Sequence, residues 1–301
     1  MYQRDGVGTA MGRTTGTWAS QLGGSGPYAG GIAAYDASNA YLSSQNLLAR
    51  TSDGGATWTN FTTPDNYYGI GVVRTNVLIA YAVGDSGHVY KTVNGGTSWT
   101  QSTVGTSKLL AVSVVDASNV WVAGVNGTIY RTTDGGTTWS LQVSGTTNTL
   151  LSISALDGAN AWITGANVVL RTSNAGATWS AQVCTGGCPY LSGVSMFSTT
   201  TGYASSVEGF VWKTTDGATW SKTVATAGHF NLNGIGSVSA TSAWAVGDHG
   251  GIYRTTDGGA TWTVQNNRRG HQMAAISVVN ATTAWIGATP QSALVVHPEN
   301  S

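Results

Sequence analysis

The chain has 301 residues, 41% of them apolar and 9% charged, with 42 glycines, against about 25% charged in an average soluble domain. Its 13 Lys and Arg balance its 13 Asp and Glu. That balance excludes a broad basic field for nucleic acid or an anionic membrane surface, and no apolar run is long enough for a membrane-spanning helix.

The elements repeat along the chain. "RTTGTW", from Arg13, opens it with a degraded phrase that returns intact at "RTSDGGATW" from Arg50, "KTVNGGTSW" from Lys91, "RTTDGGTTW" from Arg131, "RTSNAGATW" from Arg171 and "RTTDGGATW" from Arg254. "KTTDGATW", from Lys213, is one residue shorter. The tryptophans fall at 18, 58, 99, 139, 179, 220 and 262, at intervals of 40, 41, 40, 40, 41 and 42. A period of this size marks a repeat architecture.

Each unit reads as four short strands. In residues 109–143, "LLAVSVV" is a buried strand, "DASN" a turn and "VWVAGV" a second strand. "NG" is a tight hairpin turn, "TIYRT" a third strand and "TTWSLQV" a fourth. The expected fold is all-β, a single seven-bladed β-propeller over 1–301 with four-stranded antiparallel blades. The blades fall at about 29–63, 66–104, 107–145, 148–184, 189–226 and 230–266. The last, 273–297, lacks a fourth strand, which residues 13–23 supply. Whether the N-terminus gives that blade one strand or two stays open; one is favoured.

The repeated box has a mechanical reading. Asp53, Asn94, Asp134, Asn174, Asp216 and Asp257 accept backbone N–H bonds across the turn between strands three and four. The glycines take positive φ. Trp58, Trp99, Trp139, Trp179, Trp220 and Trp262 then pack between blades, each ring burying about 150–250 Å². A hairpin centred on Gly135 sets Arg131 opposite Trp139, with the cation on the indole. A motif present in every unit cannot mark one site.

This phrase resembles the Asp-box, or BNR repeat, of sialidases, sortilin-type receptors, xyloglucanases and bacterial propellers related to the photosystem II stability/assembly factor. "AVGDHGGIYRTTDGGATW", residues 245–262, is most similar to the last group. The resemblance implies a propeller over nearly the whole chain, with the boxes on the face away from any ligand.

Candidate binding residues are therefore sought in the loops of the opposite face. They are Tyr67 and Tyr68 beside Asp65, Asp85 with His88, Lys108, Glu208, His229 with Phe230, Asp248 with His249, and Arg268, Arg269 and His271. The last three groups lie in neighbouring blades and mix cations, an acid, histidines and a ring, which suits a polar or anionic ligand. No metal-ligand spacing, phosphate loop or cofactor motif is visible, so no cofactor is expected. Cys184 and Cys188, in "CTGGCP", are read either as a disulfide or as two free thiols.

The expected function is a non-catalytic interaction or scaffold propeller that binds protein or glycan through the face opposite the boxes. A glycoside hydrolase or lyase in the central cup is the alternative; it needs two carboxylates across the bond, and Asp65, Asp85, Glu208 and Asp248 lie in different units. A photosystem-assembly role is a narrower option. Low charge and abundant Ser, Thr, Gly and Ala suit an extracellular, cell-surface or virion-associated protein, and low net charge favours assembly into a larger surface structure. No apolar signal region precedes "MGRTTGTW".

Overall fold

The computed structural model describes residues 19–20, 29–225, 230–265, 272–289 and 292–296. Their strands form six sheets. Five are single blades. One is three consecutive strands joined by an N-terminal one, and the other four are built on four consecutive antiparallel strands, one of them with a fifth strand added. In 107–145 these are Leu109–Val114, Val120–Gly124, Ile129–Thr132 and Ser140–Gln142. Between the second and third, Asn126 and Gly127 take φ of 57° and 65°, the primed geometry that suits a twisted hairpin.

Seven separate blades are not what forms. The first six strands make one continuous sheet, so the separate blades number five. The cause is local. Thr59–Val73 runs unbroken, pairing through its first half with Leu47–Arg50 and through its second with Asn76–Gly84. Ala40–Thr51 also runs without a break, although Asn46 turns inside it at φ 55°.

The last blade contains both ends of the described chain. Ala19 pairs with Val295 and Ser20 with Leu294, so an N-terminal strand finishes a sheet begun at Gln272–Asn280. Inner strands contact their neighbours in sequence, and Gln272–Asn280 lies against Ala29–Ala34. Serines stitch these inner strands together. Ser113 Oγ accepts the Ala155 N–H at 3.0 Å, Ser154 Oγ that of Met196 at 3.0 Å, and Ser195 Oγ that of Ser237 at 2.9 Å. Ser277 Oγ accepts from Ala34 at 2.9 Å and closes the ring. Each such bond satisfies a backbone donor that would be costly to leave unpaired.

The main packing anchor is an aromatic residue in the second strand of each repeat, a position the box-centred reading passed over. Tyr41, Tyr81, Trp121, Trp162, Tyr203, Trp244 and Trp285 are all fully buried. Most box tryptophans are only half-buried and meet the preceding repeat's anchor edge-on: Trp99 on Tyr41 at 6.2 Å, Trp179 on Trp121 at 5.6 Å, Trp262 on Tyr203 at 6.3 Å. Trp58 meets Trp285 in the same way, across the closure. Trp220, from the shortened box, is fully buried.

The expected Arg131–Trp139 pairing is one residue out of register. Arg131 pairs with Ser140 on one side and with Trp121 on the other. The cations therefore lie on the second-strand anchors: Arg131 on Trp121 at 4.8 Å, Arg171 on Trp162 at 4.9 Å, Arg254 on Trp244 at 5.0 Å. Arg50, Lys91 and Lys213 lie on Tyr41, Tyr81 and Tyr203. All but Arg254 also donate to a carbonyl of the following box, and Arg254 reaches Ala281 O at 2.9 Å. Lys91 reaches Gly135 O at 2.7 Å, Arg131 Ala175 O at 3.0 Å and Lys213 Gly258 O at 2.7 Å. The basic residue is a clip between blades.

Inside the box, Asp134 Oδ1 accepts the Thr138 N–H at 2.9 Å, and Gly136 donates to Thr132 Oγ1 at 2.8 Å. Such bonds pull the acid down: Asp53, Asp134 and Asp257 sit at about 2, held chiefly by the threonine hydroxyl four residues on. Cys184 and Cys188 are joined as a disulfide. The segment Val183–Cys184 leaves its own blade and pairs in parallel with Thr219 and Trp220 of the next.

Candidate functional site

The box turns hydrogen-bond to the turns between first and second strands, as Gly135 N–H does to Ser118 O at 3.0 Å, so these two sets of loops share one face. The candidate residues among those described lie towards the other ends of the same strands. There Gly87, at φ 69°, packs so closely on Gly105 that a Cβ would sit 2.3 Å from its carbonyl oxygen. Only glycine fits, and the tight Asp85–Gly87 turn places Asp85 over the end of the next inner strand.

Four side chains converge at this point. Asp85 accepts from Asn66 Nδ2 at 2.9 Å and from the Tyr68 hydroxyl at 3.2 Å, and pairs with Lys108 Nζ at 3.2 Å. Lys108 also donates to the Tyr68 hydroxyl at 3.0 Å and lies 4.7 Å from the ring centroid. Burial pushes the Asp85 carboxyl up, but the bonds from Asn66, Lys108 and Tyr68 outweigh it and hold the group below its ordinary value. The bond to Tyr68 holds the Lys108 ammonium above its own. Both groups are therefore charged at neutral pH.

Beside this cluster lies a second. Asp65 Oδ2 meets His88 Nδ1 at 2.7 Å and accepts the Tyr90 hydroxyl proton. Burial, then the bond to Asp65, raises the Tyr90 phenol well above its ordinary value. Tyr67 is not a surface residue, contrary to expectation. It is buried in the core, stacks edge-on against Tyr90 at 5.1 Å, and its hydroxyl bonds to Thr63. Strand alternation explains the pair: Tyr67 faces the sheet interior while Tyr68 faces the channel.

In 230–266, Asp248 accepts from Asn231 at 3.1 Å and from Asn233 at 2.9 Å. His249 stacks on exposed Phe230 at 4.4 Å. Glu208 is exposed in the 207–209 turn. His229, Arg268, Arg269 and His271 lie outside the described residues, so the expected sector of neighbouring cations and histidines rests there on Asp248, His249 and Phe230 alone. These clusters are completed by Asn66, Asn231, Asn233 and Gln101, which accepts from the Tyr90 hydroxyl at 2.9 Å; none of the four carries a charge that would mark it in the sequence.

Tyr68 and Asn233 also line a narrow central channel of about 300 Å³, walled by glycine, alanine, serine and aliphatic residues of the inner strands. At the Asp-box end a wider opening of about 650 Å³ is lined by Arg74, Phe197 and the serines 113, 154, 195 and 237. It is the larger space, yet Arg74 is its single ionisable group, whereas the opposite mouth gathers Tyr68, Asp85 and Lys108. Neither lining contains a carboxylate. Among the described residues no cluster of three His, Cys, Asp or Glu could hold a metal, and no helix is long and apolar enough to cross a membrane.

Residues 103–242 match the family model described as "Photosynthesis system II assembly factor YCF48". The solved structure "YCF48 bound to D1 peptide" is 14% identical, covers 99% of this chain and 100% of its own, and has a TM-score of 0.75. YCF48 from Cyanidioschyzon merolae is 17% identical over 94% of this chain and 99% of that one, at TM-score 0.75. A streptogramin B lyase is 12% identical over 93% and 97%, at TM-score 0.77. Among curated proteins no sequence matches. The chain is thus a BNR-type β-propeller that resembles the photosystem II assembly factor. The expected extracellular, cell-surface or virion-associated location is contradicted by this match, since the matched family is described as a photosystem II assembly factor.

Proposed function

We propose that this chain is a non-catalytic interaction propeller, a scaffold that binds a polypeptide segment through the face opposite the Asp-boxes. The observation that carries this reading is the Asn66–Tyr68–Asp85–Lys108 cluster at the channel mouth. It offers a charged pair and an aromatic edge at the end of a channel too narrow for a bulky substrate. The solved YCF48 with its D1 peptide supports a peptide as the partner class. The carboxylate-free channel lining argues against acid–base hydrolysis there.

We also read the six-stranded sheet as two fused blades, which makes the chain a single propeller of seven, with bounds of 29–63, 66–104, 107–145, 148–184, 189–226, 230–266 and 273–297. Two observations support this. Asn46 turns at the φ found in the second-to-third strand turns at Ser86, Asn126, Asn167 and His249, and the buried second-strand aromatics recur from Tyr41 to Trp285.

The test is titration calorimetry of the intact protein with a D1 peptide, beside a glycan array with a turnover assay. Saturable peptide binding that Lys108→Ala weakens by about tenfold is expected. Glycan turnover lost in Asp85→Asn and Glu208→Gln would replace the scaffold reading with an enzyme.

A further inference from the structure

A second repeated phrase has no part in the box or in the channel. It is "WSLQV" at 139–143, "WSAQV" at 179–183 and "WTVQN" at 262–266, and it contains the outermost strands Ser140–Gln142, Ser180–Ala181 and Thr263–Val264. In two of these the glutamine donates its backbone N–H inward, Gln182 to Val169 O and Gln265 to Ile252 O, both at 2.8 Å. Gln142 holds the same register, opposite Ile129. Alternation then turns the backbone N–H and C=O groups of Leu141 and Val143 outward. Ser140–Gln142 is the last strand of its sheet, and no other strand pairs with it among the described residues.

That edge lacks the usual protection. Outer strands are commonly guarded by charge, proline or a covering segment. Residues 140–156 contain no charged residue and no proline. Leu141 is 65% exposed and Val143 85%, two apolar side chains on one face of the strand. Beside them runs an open groove of about 730 Å³, floored by Asn126, Thr128, Thr146 and Thr147. Other edges differ. Thr100–Thr103 is polar, and the outer strand Thr219–Ala225 is already covered by Val183–Cys184, added in parallel. The chain therefore uses strand addition on one of its own edges and leaves another open.

We propose that the Ser140–Val143 edge binds an extended, uncharged peptide by strand addition, with β-branched side chains at alternate positions facing Leu141 and Val143. Outward backbone donors and acceptors match another extended backbone and little else. Edge-to-edge pairing with a second copy would run only along the short Ser140–Gln142 strand, whereas a stable interface needs roughly 1,000 Å². A peptide can follow both strand and groove. The surface is distinct from the channel mouth, so the two readings stand or fall separately.

The probe is a fluorescent peptide of six alternating threonines and valines between terminal lysines, titrated into the intact protein by anisotropy. Saturable binding is expected, weakened by about tenfold or more in Val143→Pro, which removes an outward N–H, and in Leu141→Lys. A probe N-methylated at alternate residues should lose binding to the same extent, because only its backbone donors change. Val93→Lys, an exposed apolar position in a box turn, should bind as the parent does. Absence of binding overturns the proposal, as does binding that survives both Val143→Pro and N-methylation. Should Val143→Pro unfold the chain, Leu141→Lys and the N-methylated probe decide the question.

Discussion

The Arg131 guanidinium lies 4.8 Å from the ring centroid of Trp121 in its own blade and donates at 3.0 Å to Ala175 O in the next. One cation thus ties a buried anchor to a neighbouring box turn. Arg131→Met keeps the aliphatic stem and removes both interactions. A loss of about 1–3 kcal/mol is expected by urea unfolding, from one charged hydrogen bond and one cation–π contact. Arg131→Lys should recover part of it, since Lys91 and Lys213 fill the same role.

The second-strand anchors should matter more than the box tryptophans. Trp121→Ala empties a fully buried site and is expected to cost about 3–5 kcal/mol. Trp139→Ala, at a half-buried position, should cost less than Trp121→Ala in the same denaturation series. Trp220 is the exception among the boxes, and its alanine variant should behave like that of Trp121.

The box acids set an acid limb. Asp53, Asp134 and Asp257 have folded values of about 2, below the roughly 3.9 of an unfolded aspartate. The folded state therefore binds these protons less readily, and stability from these groups is complete above about pH 4 and lost as pH falls through about 2. Replacing all three by asparagine should flatten that limb in a pH series of thermal melts. The fold should survive, because Asn94 and Asn174 already hold the same turn, each accepting an N–H at 3.0 Å.

The Cys184–Cys188 bridge closes a short loop beside a strand added to the neighbouring blade. Chain entropy assigns such a loop about 2 kcal/mol. Cys188→Ser should lower stability by that order and raise amide exchange at Val183 and Cys184. Unchanged exchange there would show that the parallel pairing holds without the bridge.

The blade pattern was legible because period and turn chemistry coincide: "NG" at 126–127 and "DGG" at 134–136 sit where hairpins must turn. The clip role of Arg131 was not. The box turn pairs Arg131 with Ser140, one residue beyond Trp139, so counting outward from Gly135 placed the cation on Trp139 instead of Trp121. Fusion of the first sheets was hidden too, since "TPDNYYG" reads as a loop yet Thr59–Val73 continues through it. At the candidate site, Asp85 and Tyr68 were visible as residues of the face opposite the boxes. Their partner Asn66 was not, and Tyr67 looked equivalent to Tyr68 although strand alternation buries it.

The central claim is that a polypeptide engages the channel mouth opposite the boxes. Hydrogen–deuterium exchange of the intact protein with and without a D1 peptide tests it most directly. The account predicts slowed exchange at residues 66–68, 85–88 and 108, with the box turns at 52–57 and 133–138 unchanged. Protection confined to the box turns, or none at saturating peptide, would contradict it.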